Sequence, residues 1–331
     1  MKHLVLGSSG QIGAHLVKYL VNQKQQVFEW DILNKPFQDL RQAHSPILDS
    51  YIEDCDIVHF LAFDVGGARY LEKYQDSYDF IYNNMAIMTN TFDALRQNKK
   101  PFIFASSQMA EMNHSSYGIL KLLGEKMTHE LGGIVARFWN VYGYEEDEEK
   151  SHVITDFIKM AKEKGVIKMR TDGTESRQFL YADDASEALL TLAKKYNKID
   201  KSKDYSITSF KWNKIYEIAQ ILDVLSSCEI TPGDKTDETQ RNAMNEPNDN
   251  IKKYWKPKTS LEEGIMKLYN PSSTTFVKHF MIKTNDIEAT NYMESRFQTG
   301  YFNTTSAINA IQFKMASGEI QGGTIDLFGV V

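Results

Sequence analysis

The first half of the chain alternates continuous apolar runs with stretches in which apolar residues recur at helical spacing. The apolar runs predict buried β-strands at residues 3–7, 26–31, 55–63, 101–107 and 133–143. The helical spacing predicts helices at residues 11–22, 79–97 and 117–131. Strands that alternate with helices form right-handed crossovers, so the pattern predicts an α/β fold with a doubly wound parallel sheet covered on both faces.

The pattern changes near residue 271. Residues 274–284, 305–315 and 322–331 alternate apolar and polar positions, with glycines as turn residues, which is typical of antiparallel β-structure. Polar stretches at 145–149 and 233–250 predict solvated, irregular segments, and 256–269 predicts a short helix. We therefore predict a first domain at 1–170, a smaller lobe at 171–270 with contributions from 140–160, and a β-rich appendage at 271–331.

Composition and charge narrow the function classes. Of the 331 residues 42% are apolar, which allows a large hydrophobic core. The net charge is −6, whereas a nucleic-acid-binding protein usually has an excess of basic residues. Cys55 and Cys228 lie far apart, so we expect no disulfide framework and no metal site, and a reducing compartment is favoured. No apolar run is long enough to span a membrane. We expect a cytoplasmic protein (host cytoplasm if viral) with neither nucleic-acid nor membrane partners.

A glycine-rich turn, GSSGQIG, follows the first predicted strand and opens the first predicted helix. Its three glycines permit a tight turn, a close approach of backbone to a pyrophosphate, and close packing of the helix, whose N-terminal amides face the anion. The turn therefore predicts a Rossmann-type dinucleotide-binding domain. The predicted cofactor contacts are Gly7, Ser9, Gly10, Gln11, Ile12 and Gly13.

Asp31 ends the second predicted strand, where a carboxylate can accept both hydroxyls of the adenosine ribose. It would repel a 2′-phosphate, so NAD is favoured over NADP. The alternative is an aspartate that only caps the next turn. Leu61 and Ala62, at the end of the third strand, are predicted to form the inner wall of the cofactor cleft, and Asp56 its adenine edge.

Tyr117 and Lys121 are four residues apart, and therefore on one helix face. A free tyrosine has a pKa of about 10, and a nearby ammonium together with an oxidised nicotinamide favours the phenolate. Lys121 can also hold the nicotinamide ribose, and Ser107, at the end of the fourth strand, can bond the reacting hydroxyl. The three residues predict a proton-transfer site; the alternative is an ordinary amphipathic helix.

Up to residue 269 the chain resembles the extended short-chain dehydrogenase/reductase family, the NAD-dependent epimerases and dehydratases of nucleotide sugars. The motifs that carry the resemblance are, in order, GSSGQIG, HFLAF, FASS, YGILK, RFWNVYG and RQFLYADD. The resemblance implies bound NAD, a nucleotide-diphosphate sugar as substrate, and a substrate-binding role for the smaller lobe. It also implies a homodimer formed through the two long helices at 79–97 and 117–131.

Within that family, residues 64–87, 151–158 and 239–242 resemble GDP-fucose synthases and GDP-mannose 3,5-epimerases. By this resemblance His152 falls on an active-site histidine and joins Ser107, Tyr117 and Lys121 as a catalytic candidate. The alternative for His152 is a surface or capping histidine. The substrate contacts that the resemblance implies are Gly66, Gly67, Asn140, Val153, Arg177 and Arg241.

The chain departs from the family pattern after Ser107. Met109 stands where epimerising members carry a cysteine, Gln108 and Met109 replace the Asp-Glu pair of dehydratases, and Glu111 stands where a tyrosine is common. Methionine cannot exchange protons, so the usual two-base epimerisation is not supported. His152 and Glu111 are the candidates for a single acid/base.

The resemblance implies transient oxidation of a sugar hydroxyl by Tyr117 and NAD, then rearrangement and re-reduction. Two alternatives are an NAD(P)H-dependent 4-keto-sugar epimerase/reductase, similar to GDP-fucose synthase, and a non-catalytic NAD-binding scaffold. Residues 307–330 resemble C-terminal β-rich segments of phage structural proteins. That second resemblance implies an assembly or glycan-contacting module; the alternative is a small β appendage that packs on the enzyme.

Overall fold

The computed structural model describes residues 1–42, 45–112, 114–145, 147–235, 246–269, 278–287 and 293–302. The strands are β1 (Lys2–Leu6), β2 (Gln26–Trp30), β3 (Ile57–Phe60), β4 (Phe102–Ser107), β5 (Ile134–Phe138), β6 (Asn140–Tyr142), β7 (Val166–Lys168), β8 (Ser176–Tyr181), β9 (Asp204–Ile207), β10 (Trp212–Lys214), β11 (Glu229–Thr231), β12 (Lys278–Ile287) and β13 (Met293–Phe302). The helices are α1 (Gln11–Asn22), α2 (Pro46–Asp54), α3 (Ala68–Tyr74), α4 (Tyr78–Asn98), α5 (Ser116–Glu130), α6 (Val153–Lys164), α7 (Ala182–Lys194), α8 (Ile215–Ser226) and α9 (Leu261–Tyr269).

The main sheet has six parallel strands in the order β2-β1-β3-β4-β5-β9. Successive strand residues point to opposite faces, and β1 shows the result. Val5 packs in a core with Leu16 of α1 and Leu189 of α7, whereas Leu4 packs in a second core with residues of α2, α4 and α5. Helices therefore cover both faces, and the predicted α/β fold of the Rossmann type is confirmed.

The segment 133–143 forms two strands in different sheets instead of one. After β5 the amide of Trp139 donates to the carbonyl of Ile207, and the chain then leaves the main sheet. Residues 140–142 pair with β8 in a three-stranded sheet ordered β10-β8-β6. Beside this sheet, α6, α8 and α9 share a third core around Ile154, Leu222 and Ile265. The boundary at residue 170 stays a prediction, and β9 contributes a main-sheet strand from beyond it.

Two histidines lie in the centre of the main sheet. His3 on β1 and His59 on β3 are fully buried, with the Nδ1 atom of His3 2.9 Å from the Nε2 atom of His59. Burial and the nearby N-terminal charge lower the pKa of His3 to about 4. Burial and the neighbouring His3 lower the pKa of His59 to about 3. Both imidazoles are therefore neutral at physiological pH.

Beyond residue 269 the structure describes one antiparallel pair, β12 with β13. The predicted boundary at 271 and the predicted β segments at 305–315 and 322–331 lie outside the described residues. Cys55 and Cys228 are buried free thiols. Among the described helices none is long and apolar enough to cross a membrane.

Candidate active site

The turn between β1 and α1 needs glycine at two positions for reasons within the chain. Gly7 has φ +86°, and a Cβ there would lie 2.7 Å from the Ala62 amide nitrogen. A Cβ on Gly13 would lie 1.9 Å from the Gly7 carbonyl oxygen, so α1 packs directly on the turn. At Gly10 the nearest atom would be 3.5 Å away. Gly10 therefore leaves open backbone beside the first amides of α1, which suits the pyrophosphate of a dinucleotide.

Asp31 is held beside this turn. Its Oδ2 atom accepts a hydrogen bond from the Ser9 amide at 3.0 Å, and its Oδ1 atom accepts one from the Leu33 amide at 3.0 Å. The carboxylate therefore caps the following turn, as the alternative interpretation had it, and also faces the cofactor turn. Asp56 lies elsewhere: it accepts a bond from the Lys2 amide at the start of β1. The prediction that Asp56 forms the adenine edge is wrong, because Asp56 lies at the amino end of the parallel strands.

A single cleft of about 1060 Å³ joins the glycine turn to the carboxyl ends of β3, β4 and β5. The predicted residues that line it are Gly7, Ser9, Gly10, Gln11, Ile12, Gly13, Asp31, Leu61, Ala62, Gly66, Ser107, Tyr117, Lys121 and His152. Sequence reasoning missed the stretch from Gln38 to Arg41, which lines the cleft near Asp31; the Asp39 carboxylate holds the Arg41 guanidinium at 2.8 Å.

Ser107, Tyr117 and Lys121 meet at the inner end of the cleft. Ser107 ends β4, and Tyr117 and Lys121 lie in the first turns of α5, whose N-cap Ser115 accepts a bond from the Gly118 amide. The Lys121 ammonium is buried, donates to the Ala105 carbonyl at 2.7 Å and lies 3.6 Å from the centre of the Phe63 ring.

Burial controls the protonation of both titratable groups. Burial lowers the pKa of Lys121 to about 7, although the Glu125 carboxylate opposes this. Burial raises the pKa of Tyr117 to about 12, although a hydrogen bond from Ser107 opposes this. The chain by itself therefore keeps Tyr117 as a neutral phenol, and additional positive charge is needed to make it a base near neutrality.

The turn that follows Ser107 carries Met109 and Glu111. A Cβ on Gly118 would lie 2.2 Å from the Met109 carbonyl, so α5 packs directly against this turn. The Glu111 carboxylate accepts a bond from Arg137 at 2.5 Å. Arg137 also forms a fork to Glu125, at 2.6 Å on each side, and contacts Asp204 at 2.8 Å. Glu111 is therefore committed to an ion network and does not line the cleft, so of the two acid/base candidates taken from the sequence only His152 lines it.

His152 is the N-cap residue of α6 and lines the cleft. Its side chain does not cap the helix; the Nδ1 atom lies 2.5 Å from Oε1 of Glu145. The other carboxylate oxygen of Glu145 accepts bonds from the His152 amide at 3.0 Å and the Thr155 hydroxyl at 2.6 Å. The prediction of a solvated loop at 145–149 is wrong for Glu145, whose side chain is 6% exposed, because these donors replace water.

Three of the remaining predicted substrate contacts have partners within the chain. A Cβ on Gly67 would lie 2.3 Å from the Ser151 carbonyl, so this glycine allows close packing against the segment before His152. The side-chain amide of Asn140 donates to the Gln178 carbonyl at 3.3 Å. The guanidinium of Arg177, which precedes Gln178 in β8, donates to the Ser176 carbonyl at 2.8 Å.

Gly67, Asn140, Val153 and Arg177 do not line the cleft, and Arg241 lies outside the described residues. Substrate contacts at all five positions stay predictions. In the part of the chain that the structure describes, no three His, Cys, Asp or Glu side chains are grouped to hold a metal ion.

Comparisons with known proteins agree with this geometry. A GDP-L-fucose synthase of Sinorhizobium fredii is 26% identical over 306 residues, which cover 80% of this chain and 93% of the relative. A putative UDP-glucose 4-epimerase of Methanocaldococcus jannaschii is 26% identical over 303 residues, 81% of this chain and 97% of the relative. The solved structure of the Bordetella bronchiseptica enzyme WbmF with NADH has a similar fold, with a TM-score of 0.68 at 19% identity over 82% of this chain and 91% of that one.

The profile of the NAD dependent epimerase/dehydratase family matches residues 3–208. This match covers more than half of the chain and includes the glycine turn, Ser107, Tyr117 and Lys121. The resemblance seen in the sequence motifs is thereby confirmed, as is the prediction of an enzyme whose cofactor is NAD. The chain belongs to the NAD dependent epimerase/dehydratase family.

Proposed function

We propose that this enzyme transiently oxidises a hydroxyl of a nucleoside-diphosphate sugar and, after rearrangement of the sugar, reduces it again. The observation that carries the proposal is one cleft with the glycine turn and Asp31 at one end and Ser107, Tyr117 and Lys121 at the other. The names of the two sequence relatives, a GDP-L-fucose synthase and a UDP-glucose 4-epimerase, support a nucleotide-sugar substrate.

The residues of the cleft divide the chemistry between them. The glycine turn and Asp31 would hold NAD, which when bound would supply the acceptor and later the donor of a hydride at the sugar carbon. Tyr117 takes the proton of the sugar hydroxyl, and Ser107 bonds the same oxygen. Because burial raises the pKa of Tyr117 to about 12, the positive charge of an oxidised nicotinamide, added to that of Lys121, would be needed to convert Tyr117 into a base.

Oxidation of the hydroxyl gives a ketone, which acidifies the neighbouring C–H bonds of the sugar. His152, in the same cleft, is the group that exchanges a proton with such a carbon. Met109 stands where the epimerising members carry a cysteine, and methionine has no exchangeable proton. Met109 and His152 therefore do not form the pair of acid/base groups that those enzymes use. We therefore propose proton exchange at a carbon served by His152 alone.

A second candidate function is a reductase that consumes NADH or NADPH while it isomerises a 4-keto sugar. The relative named GDP-L-fucose synthase favours it. Asp31 opposes NADPH, because its carboxylate faces the turn beside which the adenosine ribose is expected. Stoichiometric loss of NADH would identify the reductase, and a constant NADH level would identify the redox-neutral enzyme.

The test is turnover by purified, NAD-loaded protein of GDP-mannose, UDP-glucose and dTDP-glucose, with products identified by mass spectrometry and NMR. We expect conversion of at least one sugar and its loss, by about a hundredfold or more, in Tyr117→Phe. Retained NAD binding in the variant would show that the fold is intact. No turnover of any of the three sugars, or full activity of Tyr117→Phe, would contradict the proposal.

We also propose a homodimer formed through α4 and α5. Each helix exposes three large apolar side chains on one face. They are spaced i, i+4, i+7 in α4 and i, i+3, i+4 in α5, and each of them is between 38% and 77% exposed. The residues are Tyr78, Tyr82, Met85, Ile119, Leu122 and Leu123. Sedimentation of the wild-type chain and of Leu122→Glu should give a dimer and a monomer, respectively; a monomeric wild type would contradict this proposal.

A further inference from the structure

We propose that Glu145 is a positioning residue that fixes the tautomer and orientation of His152, so that the pair forms the proton-exchange device of the cleft. This inference rests on the proposed function. It concerns an acidic residue of the 145–149 stretch, for which the sequence alone predicts a solvated loop.

The carboxylate of Glu145 is nearly saturated with donors from one short segment. The His152 imidazole approaches one oxygen, and the His152 amide and the Thr155 hydroxyl donate to the other. Burial of the carboxyl would raise its pKa, but the hydrogen bonds from His152 and Thr155 hold the pKa of Glu145 below its usual range. Glu145 is therefore a charged acceptor, fixed in direction by its partners.

The backbone that carries His152 is held from two further sides. The Gly67 amide donates to the Lys150 carbonyl at 2.9 Å, and Gly67 packs on Ser151 with no room for a Cβ. On the other side, the Ser151 hydroxyl donates to Asp156 at 2.6 Å, and the Arg69 guanidinium contacts the same carboxylate at 2.9 Å. Precise placement of an imidazole requires such support around it.

The consequence is a defined role for each ring nitrogen. A carboxylate beside Nδ1 requires a proton there, so Nε2 carries the lone pair of the neutral ring. Nε2 can then take the proton of a sugar carbon next to the ketone; the C–H electron pair becomes part of an enolate, and a new N–H bond forms. The proton on Nε2 exchanges with solvent, and return of a proton from Nε2 to carbon restores the neutral ring. Glu145 stabilises the intermediate imidazolium by its negative charge.

The first experiment follows deuterium. NAD-loaded wild type, Glu145→Ala, Glu145→Gln and His152→Gln are incubated in D₂O with GDP-mannose, UDP-glucose and dTDP-glucose, and deuterium next to the oxidised carbon is measured by mass spectrometry. We expect loss of exchange by about ten- to a hundredfold in the Glu145 variants and by more in His152→Gln. Glu148→Gln is the matched control, because Glu148 is a 77% exposed acid of the same loop whose carboxylate pairs with Lys159; it should match wild type.

The second experiment needs no sugar. Nitrogen-15 NMR of the histidine rings in the NAD-loaded protein, assigned with His152→Gln, should show the Nδ1–H tautomer for His152 in wild type and its loss in Glu145→Ala. An Nε2–H tautomer in wild type would overturn the proposal. So would undiminished deuterium exchange in both Glu145 variants, or wild type that forms NADH from a sugar without any exchange. Absence of NADH with all three sugars would instead count against the proposed function, and the NMR result would still decide the role of Glu145.

Discussion

Acidification should destabilise the protein through the buried pair His3 and His59. Their folded-state pKa values are about 4 and about 3, against a usual value of 6.5 in an unfolded chain. Protons therefore bind the unfolded chain more readily, so the stability that the neutral pair contributes is present above pH 6.5 and is lost as the pH falls below it. At pH 5 both folded-state pKa values still lie below the pH, so the loss per histidine is set by the distance from the unfolded pKa of 6.5 to pH 5, which is 1.5 units. At about 1.36 kcal/mol per unit, this is about 2 kcal/mol for each ring and about 4 kcal/mol for the pair.

A loss of this size is a large part of the stability of a typical domain, which is about 5–15 kcal/mol. The assay is urea denaturation at pH 7 and pH 5 of wild type and of the double variant His3→Leu/His59→Leu. Replacing both partners by apolar side chains leaves no orphaned hydrogen-bonding group. Carboxylates and the other histidines contribute equally in both proteins, so the difference between the two pH dependences isolates the pair. His114→Leu, at an exposed histidine, is the control and should retain the wild-type dependence. Equal pH dependences of wild type and the double variant, within about 1 kcal/mol, would refute the reasoning.

Three further predictions concern the cofactor turn and the ion network. Gly13→Ala, whose Cβ would lie 1.9 Å from the Gly7 carbonyl oxygen, should lower the free energy of unfolding by about 1–3 kcal/mol in urea denaturation. Gly10→Ala should leave that free energy unchanged and lower the affinity for NAD in a binding titration, and equal stability of the two variants would argue against this account of the turn. Asp31→Ser should raise the ratio of NADP to NAD affinity by about tenfold, measured by titration with both cofactors; an unchanged ratio would mean that Asp31 only caps its turn. Arg137→Met should lower the free energy of unfolding in urea denaturation by about 3–5 kcal/mol, because it leaves Glu125 buried without a positively charged partner. Adding Glu125→Met should recover part of that loss, and a double variant no more stable than the single one would contradict the pairing.

The parts of the site that sequence predicted are those encoded by local spacing. The glycine turn and the Tyr117–Lys121 pair each lie within one turn or one helix, so their residues meet whatever the rest of the chain does. Ser107 was placed correctly because the carboxyl ends of parallel strands share one edge of a sheet. The same rule would have excluded Asp56, which precedes its strand and so lies at the opposite edge.

Glu145 could not be predicted, because its burial depends on contacts that only the fold creates. In the sequence it stands at the start of an acidic run, where each residue is expected to face water. Its environment is decided by His152 and Thr155, which the start of α6 brings against it. Trp139 gives a second example, since an unbroken apolar segment does not show that the chain changes sheets there.

The ion network around Arg137 constrains how this sequence can evolve. One guanidinium contacts carboxylates from the turn after β4, from α5 and from β9, and the α5 carboxylate is buried. Loss of the arginine alone would leave a buried negative charge with a hydroxyl donor, that of Ser106, but without its positively charged partner. Substitutions at Glu125 and Arg137 should therefore be inherited together, so that homologues carry both charges or neither. This coupling links the helix that bears Tyr117 to strands contributed by distant parts of the chain.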